Sequence, residues 1–326
     1  MNIRPGLAIA GLLFLSFVVS GCSSSNEPLA AQTTEKAPVD VSRSTAPTTP
    51  APIQPLYATD DAAAKKEWER RVVYKRQFMN AAKELVVKAN SQKHADVYNF
   101  VSRHGMLALP TIENCVMVEG PAKDPFAVVV VLPEDAQLGP PWSNVFTTAG
   151  AMAVYGPDEK TIFLSPVLSG SPEGMGLSLL HEGFHAWEHL VNKRPQAKKG
   201  DAEAFCLGEI EAHEFMAELT AKIHPAYDTL INDISSKIGG SEQDGIITVR
   251  SNGALRQEID NRLAGAFGRT IPNVSEHRAM NVDVWYLANF RHIEKTLPKS
   301  DWKTEKVRFL KEYLEQTGNA QWLKGR

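Results

Sequence analysis

Two histidines and a glutamate stand at the spacing that metal-dependent hydrolysis requires. They are His181, Glu182 and His185, in the run Leu-His-Glu-Gly-Phe-His. Histidines four residues apart lie about 40° apart around an α-helix and one turn apart along it, so both imidazoles can bind one metal ion. Glu182 can then reach a water molecule on the open side of the metal and act as its general base. The motif predicts zinc-assisted hydrolysis if the chain supplies a third ligand.

The helix that carries this motif is predicted to be buried. Over residues 177–191, apolar side chains surround the histidines on nearly all sides of a helical wheel. A helix that is apolar all round lies inside a protein, and buried imidazoles need polar partners. Two core histidines bonded to backbone or carboxylate groups are the alternative, but Glu182 at the matching offset favours a metal.

The third ligand is sought on the next predicted helix, residues 201–223. Its apolar residues form one stripe with Glu211 and Glu218 along the edge, whereas Glu209 and His213 point roughly the opposite way. A glutamate in a buried stripe needs a compensating cation, which zinc would provide. Glu211 is therefore predicted as the third ligand, and a solvated rim carboxylate is the alternative.

His189 extends the histidine series by one more turn. It stands about 12 Å along the helix axis from His181, too far to share an ion about 2 Å from both. We expect it at the margin of the cleft or on the surface. The metzincin pattern is excluded, because it needs Gly and His where this chain has Glu188 and Val191.

Residues 177–220 resemble the gluzincins, which are zinc peptidases with HExxH and a downstream glutamate ligand. The segment Glu211-Ala-x-x-Phe215-x-Ala217-Glu218-Leu219 is similar to the ligand helix of the ImmA/IrrE-type metallopeptidases. The resemblance implies that His181, His185 and Glu211 bind Zn²⁺ and that Glu182 is the base. The thermolysin-like form, Glu-x-x-x-Asp, is not matched from Glu211, since Phe215 occupies the fourth position.

The elements around the motif predict one α+β domain over residues 61–326. Residues 61–103 show helical periodicity, as one helix or two, and short β-rich runs broken by Pro and Gly follow. The apolar run 127–132 predicts a central strand, and residues 161–164 predict a strand nearer the edge. Further helices are predicted at 201–223, 226–238, 254–268, 276–296 and 301–316, the last with Ser300 as N-cap. A small sheet ahead of an HExxH helix, with a mainly helical part behind it, is the order of a zincin-like fold.

The N-terminus resembles the lipobox of bacterial lipoproteins. Arg4 precedes an apolar run, residues 6–20, that is too short to span a bilayer comfortably and ends in Val-Ser-Gly-Cys22. The resemblance implies a signal peptide over residues 1–21 and a lipid anchor on Cys22 in a bacterial membrane. Ser23 then favours the outer membrane, facing the periplasm. An ordinary signal peptide with a chance cysteine is the alternative.

Residues 22–60 are rich in Ser, Thr, Ala and Pro, which predicts a disordered tether. The 35 Lys and Arg residues nearly balance the 38 Asp and Glu residues, and no dense basic patch is interleaved with aromatics. Nucleic acid is therefore not expected as a partner. A peptide or protein is the expected substrate.

Two further questions stay open in the sequence. Cys115 and Cys206 either pair in an oxidising periplasm or remain two buried thiols. Zinc peptidases usually need an additional donor to the oxyanion, and the candidates are Tyr155, His277 and Tyr286.

Two other functions share these observations. One is a non-catalytic periplasmic lipoprotein for binding or scaffolding, in which HExxH is fortuitous or only structural. The other is a zinc amidase that acts on cell-wall peptides, with the same site and a different substrate.

Overall fold

The computed structural model describes residues 62–110, 115–117, 126–132, 135, 137, 153–157, 160–168, 170–195, 197, 200–238, 253–317 and 323. The predicted signal peptide (1–21), its anchor Cys22 and the tether (22–60) lie outside the described residues. Within the described ranges, no helix is long and apolar enough to cross a membrane.

The described residues form a mixed α+β structure in which helices predominate. The helices are α1 (Ala62–Ala89), α2 (Gln92–His104), α3 (Pro172–Leu190), α4 (Ala202–Ile223), α5 (Pro225–Lys237), α6 (Gly253–Ala266), α7 (Val274–Thr296) and α8 (Trp302–Gln316). The strands are β1 (Gly105–Pro110), β2 (Cys115–Met117), β3 (Phe126–Val130), β4 (Ala153–Gly156) and β5 (Thr161–Leu164). The predicted α+β class is confirmed.

The helix predictions agree with the structure to within a few residues. The periodic stretch after residue 61 is two helices, because the chain turns at Asn90, whose φ is +46°. The residue that precedes α8 as its N-cap is Asp301 and not Ser300. No separate strand was predicted at β1. It follows α2 directly at Gly105, without a loop between them.

The strands form one sheet in the order β2-β1-β3-β5-β4. Strand β3 pairs in parallel with both β1 and β5, and all five of its residues are buried, so the predicted central strand is confirmed. Strand β5 is nearer the edge than β3, as predicted, but it is not the edge strand itself, because β4 lies outside it. The β4–β5 hairpin could join the sheet by either arm, and nothing in its short apolar strands specifies which.

Alternate residues of β3 face two hydrophobic cores. Val128 and Val130 belong to a core built with α1, α2 and α3, whereas Val129 belongs to a core built with the C-terminal helices. Helix α4 contributes to both, through Phe215 to the first and Phe205 to the second. This helix therefore connects the HExxH helix, α3, to the C-terminal half.

Two glycines let other helices approach the back of α3. A Cβ at Gly176 would lie 2.9 Å from the Ala81 carbonyl oxygen in α1, and one at Gly183 would lie 2.8 Å from Cγ2 of Val101 in α2. The two glycines are seven residues apart and share one face, and His181 lies about 140° around the helix from it. Close packing on the glycine face thus leaves the histidine face directed towards α4.

Candidate metal centre

His181 and His185 point their Nε2 atoms at the same position. The two atoms are 3.3 Å apart, and the rings meet edge to face with centroids 5.0 Å apart. His181 is 3% exposed and His185 9% exposed. The buried helix and the shared direction of the imidazoles agree with the prediction from the HExxH spacing.

Glu209 of α4 completes a three-residue cluster. Its Oε2 lies 3.6 Å from His181 Nε2, and its Oε1 lies 3.5 Å from His185 Nε2. One candidate ligand atom from each of the three residues lies within 4.8 Å of the others. Glu209 is 3% exposed, and its Oε2 has no hydrogen-bond partner among the described residues. This buried group could hold a metal ion, which would complete the coordination of that oxygen.

The prediction of Glu211 as the third ligand is wrong in this geometry. Its carboxylate is partly exposed and forms a two-point ion pair with the guanidinium of Arg194, in the loop between α3 and α4. The cation that compensates Glu211 is therefore an arginine. Glu214 pairs with Lys306 and Glu218 with Lys93, so these glutamates also lie outside the cluster.

The error came from assuming that the more polar face of α4 meets solvent. Helix α4 is buried on both faces, and the polar one packs on α3 and α7. A signal was present in the sequence, because Cys206, Ile210, Met216 and Thr220 continue the row that holds Glu209 and His213. A row of mostly uncharged residues at helical spacing predicts a second buried face. Glu209 and His213 are potential metal ligands within this row, and they are four residues apart, as His181 and His185 are.

The pKa values of the two histidines and Glu209 shift in ways that depend on one another. Burial lowers the pKa of His181, but the carboxylates of Glu209 and Glu182 outweigh it and hold the pKa above 6.5. Burial, with His181 and His213 nearby, lowers the pKa of His185 to about 4. Burial raises the pKa of Glu209, but His185 and His181 outweigh it and the pKa is low. These shifts favour the charged form of His181, the ionised form of Glu209 and the neutral form of His185.

Glu182 is fixed by the sheet. The side chain is fully buried, and its Oε2 accepts a 2.8 Å hydrogen bond from the backbone N–H of Tyr155 in β4. Because β4 is the edge strand, this N–H is available to a side chain from α3. The carboxylate is thereby held beside His181, whose pKa it raises.

The three candidate oxyanion donors occupy different positions. The Tyr155 hydroxyl is 2.8 Å from Nδ1 of His189, at the far end of α3, which places His189 two turns from His181 and outside the cluster. His277 lies near the start of α7, one-third exposed, with Nδ1 3.9 Å from Asp260. Tyr286 is fully buried and packs edge to face on His213, with ring centroids 5.1 Å apart.

Cys206 is a free thiol, buried in α4. Of the two alternatives that the sequence left open, the structure shows a buried free thiol at Cys206. Burial raises the pKa of the Cys206 thiol to about 12, and the nearby Glu209 carboxylate adds to the shift.

No family model matches the chain, and the searches of curated proteins and of solved structures found no match either.

Proposed function

We propose that the protein is a zinc peptidase in which His181, His185 and Glu209 bind the metal and Glu182 is the general base. The observation that carries this proposal is the buried pair of histidine Nε2 atoms, 3.3 Å apart, with the buried carboxylate of Glu209 facing both. Its Oε2 lies 3.6 Å from His181 Nε2, and its Oε1 lies 3.5 Å from His185 Nε2. Ligands placed tetrahedrally about 2.0–2.1 Å from zinc lie about 3.3–3.4 Å apart. An octahedral ion at the same bond length would bring neighbouring ligands to about 2.9 Å. The 3.3 Å between the two Nε2 atoms and the histidine-rich ligand set favour zinc over magnesium.

Three protein ligands suit a hydrolytic site better than a structural one. Structural zinc usually takes four protein ligands, and catalytic zinc takes three and keeps one position open. Among the described residues the cluster has three members. A bound zinc ion would supply an activated water and polarise the carbonyl of the substrate.

Glu182 supplies the proton transfers in this proposal. Tyr155 N–H holds one carboxylate oxygen, which fixes the carboxylate beside His181 without neutralising it. A carboxylate so placed can take a proton from the attacking water and give it to the leaving amine. Edge strand β4, whose hairpin runs antiparallel, could pair with an extended peptide substrate.

The substrate is proposed from the sheet edge, and the location is proposed from the sequence. An extended peptide or protein substrate is supported by the edge strand, and the lipobox-like segment ending at Cys22 supports a tethered enzyme in the bacterial envelope. A zinc amidase for cell-wall peptides would use the same residues. A peptide library that includes cell-wall stem peptides separates these two substrate classes.

The competing explanation is an imidazolium–carboxylate network that never binds metal. It accounts for the raised pKa of His181 and the low pKa of Glu209, and it fits a non-catalytic lipoprotein. Metal content distinguishes the two explanations, because only a metal site loads one ion per chain.

The test is zinc per chain in the purified protein, measured together with peptide hydrolysis. Wild type should hold about one zinc per chain, since the site has a single set of ligands. Glu182→Gln should keep the metal and lose hydrolysis, because the base is removed and the ligands remain. His181→Ala should lose the metal. Wild-type metal content near zero after incubation with Zn²⁺, or unchanged content in His181→Ala, would exclude the proposal.

A further inference from the structure

A second buried polar network lies directly behind the ligand His181. His213 follows Glu209 by one turn on α4, and its Nδ1 is 2.7 Å from Oδ1 of Asp283 in α7. The hydroxyl of Tyr227, in α5, donates a 2.5 Å hydrogen bond to Oδ2 of the same carboxylate. His213 is 2% exposed and Tyr227 1% exposed. Three helices thus contribute to one chain of hydrogen bonds, whose central carboxylate is part-buried.

The chain of hydrogen bonds ends against a metal-ligand candidate. The His213 ring meets the His181 ring edge to face, with centroids 5.2 Å apart. The carboxylate of Asp283 is also close enough to contribute to the raised pKa of His181. His213 itself is not in the ligand cluster, so it contacts a ligand and does not take its place.

The orientation of His213 is determined by Asp283. A carboxylate only accepts hydrogen bonds, so Nδ1 of His213 carries the proton in that contact. Because Tyr227 donates to the other oxygen, both carboxylate oxygens have donors and the carboxylate cannot rotate without losing one. The Asp283 side chain is 18% exposed, and moving it would cost one of these two hydrogen bonds. The two bonds together therefore hold the ring of His213 in one position.

The contact between His213 and His181 lies beside a small cavity. A narrow cavity of about 30 Å³ adjoins both His181 and His213, with Leu177 and Met216 also in its wall. Packing around the His181 ring is therefore incomplete on this side. A fixed His213 ring restricts the His181 imidazole from turning into the cavity and losing its alignment with His185 and Glu209.

We propose that His213, held by Asp283 and Tyr227, is a positioning residue that keeps His181 aligned for metal binding. This inference rests on the proposed metal site and adds a determinant of its affinity. Hydrogen-bonded groups behind metal ligands commonly change affinity or activity by about 10–100-fold when they are removed. His213 contacts His181 through an edge-to-face ring contact, so an effect near the lower end of that range is expected. The effect should be larger for His213 and Asp283 than for Tyr227.

The test measures metal affinity and stability separately. Zn²⁺ and Co²⁺ affinities come from competition with a chelator, the Co²⁺ absorption spectrum reports ligand geometry, and thermal melts use the metal-free protein. Asp283→Asn should weaken both affinities by about 10-fold, the lower end of that range, and shift the Co²⁺ spectrum. Tyr227→Phe should act in the same direction, more weakly. His213→Asn, whose amide can replace the Nδ1 donor to Asp283, should retain more affinity than His213→Ala.

His94→Asn is the matched control. His94 is also fully buried and bonded at both ring nitrogens, to Ser91 and to the Phe215 carbonyl oxygen, and it does not contact the ligand cluster. The control should lower the melting temperature and leave metal affinity unchanged. Asp283→Asn with a lower melting temperature and wild-type affinity and spectrum would overturn the positioning role alone. A wild-type protein that binds neither ion would overturn the metal site together with it.

Discussion

Glu182 accepts a 2.8 Å hydrogen bond from the backbone N–H of Tyr155, which joins the HExxH helix to the edge strand of the sheet. The bond comes from the main chain, so it survives replacement of the tyrosine side chain. The proposed base is thus oriented by secondary structure, and the Tyr155 hydroxyl is engaged elsewhere, with His189.

Tyr155→Phe separates the hydroxyl from the backbone donor. Loss of the bond to His189 should cost about 0.5–1.5 kcal/mol of folding stability, with zinc content retained and only a small change in kcat. Urea denaturation and peptide hydrolysis measure the two effects. A fall in kcat of about 10²-fold or more would instead identify this hydroxyl as the oxyanion donor. Tyr286→Phe applies the same test to the buried candidate beside His213.

Glu209→Gln and Glu211→Gln make a matched pair two residues apart on one helix. Glu209→Gln should weaken zinc binding by more than about 100-fold, the upper range for groups that only support a ligand. Glu211→Gln should leave zinc affinity unchanged, because it disturbs a partly exposed pair with Arg194 that contributes at most about 1 kcal/mol. Chelator competition measures both. The reverse ranking would restore Glu211 as the third ligand.

Gly176→Ala should destabilise the protein by about 1–3 kcal/mol, the usual cost of overpacking, because the new Cβ would meet the Ala81 carbonyl oxygen at 2.9 Å. Gly265→Ala in α6 is the control, since a Cβ there would have no neighbour within 4 Å. It should be neutral or stabilise by up to about 1 kcal/mol through helix propensity. Urea denaturation compares them. Equal stabilities would show that α1 does not pack closely on α3.

Cys206 should resist alkylation by iodoacetamide at pH 8 until the protein unfolds, because the thiolate is the reactive form and burial raises the thiol pKa to about 12. The neutral thiol is favoured in the folded state, so its contribution to stability is complete below pH 9.0, the unfolded pKa, and is lost between pH 9.0 and about 12. Peptide mapping by mass spectrometry distinguishes Cys206 from the other cysteines.

Cys206→Ala should lose less stability than wild type between pH 8 and pH 10, because it lacks the thiol whose ionisation favours unfolding. Urea denaturation midpoints at the two pH values give the comparison. Rapid alkylation of the native protein at Cys206 would contradict the burial of this thiol.

The central strand and the boundaries of most helices could be predicted from the sequence, because each depends on residues close together in the chain. The apolar run at residues 127–132 is short and rich in valine, which favours a strand. Asp201 bonds the Ala204 N–H as an N-cap. The positions of β5 and β4 could not be predicted in this way. Either arm of the hairpin could pair with β3, and only the packing of the whole sheet decides between them.

The candidate site also combines residues that the sequence could predict with a residue that depends on the tertiary structure. The HExxH spacing alone placed His181, Glu182 and His185 on one helix, because a helix converts a four-residue interval into a shared face. The choice between Glu209 and Glu211 depended on which side of α4 meets α3. Residues two positions apart on a helix differ by about 200° in direction, so only one of the two glutamates can face α3. Arg194 from the loop pairs with one glutamate, and the histidines face the other. Only the tertiary structure decides between them, because the partners that determine which carboxylate is buried come from other elements of the chain.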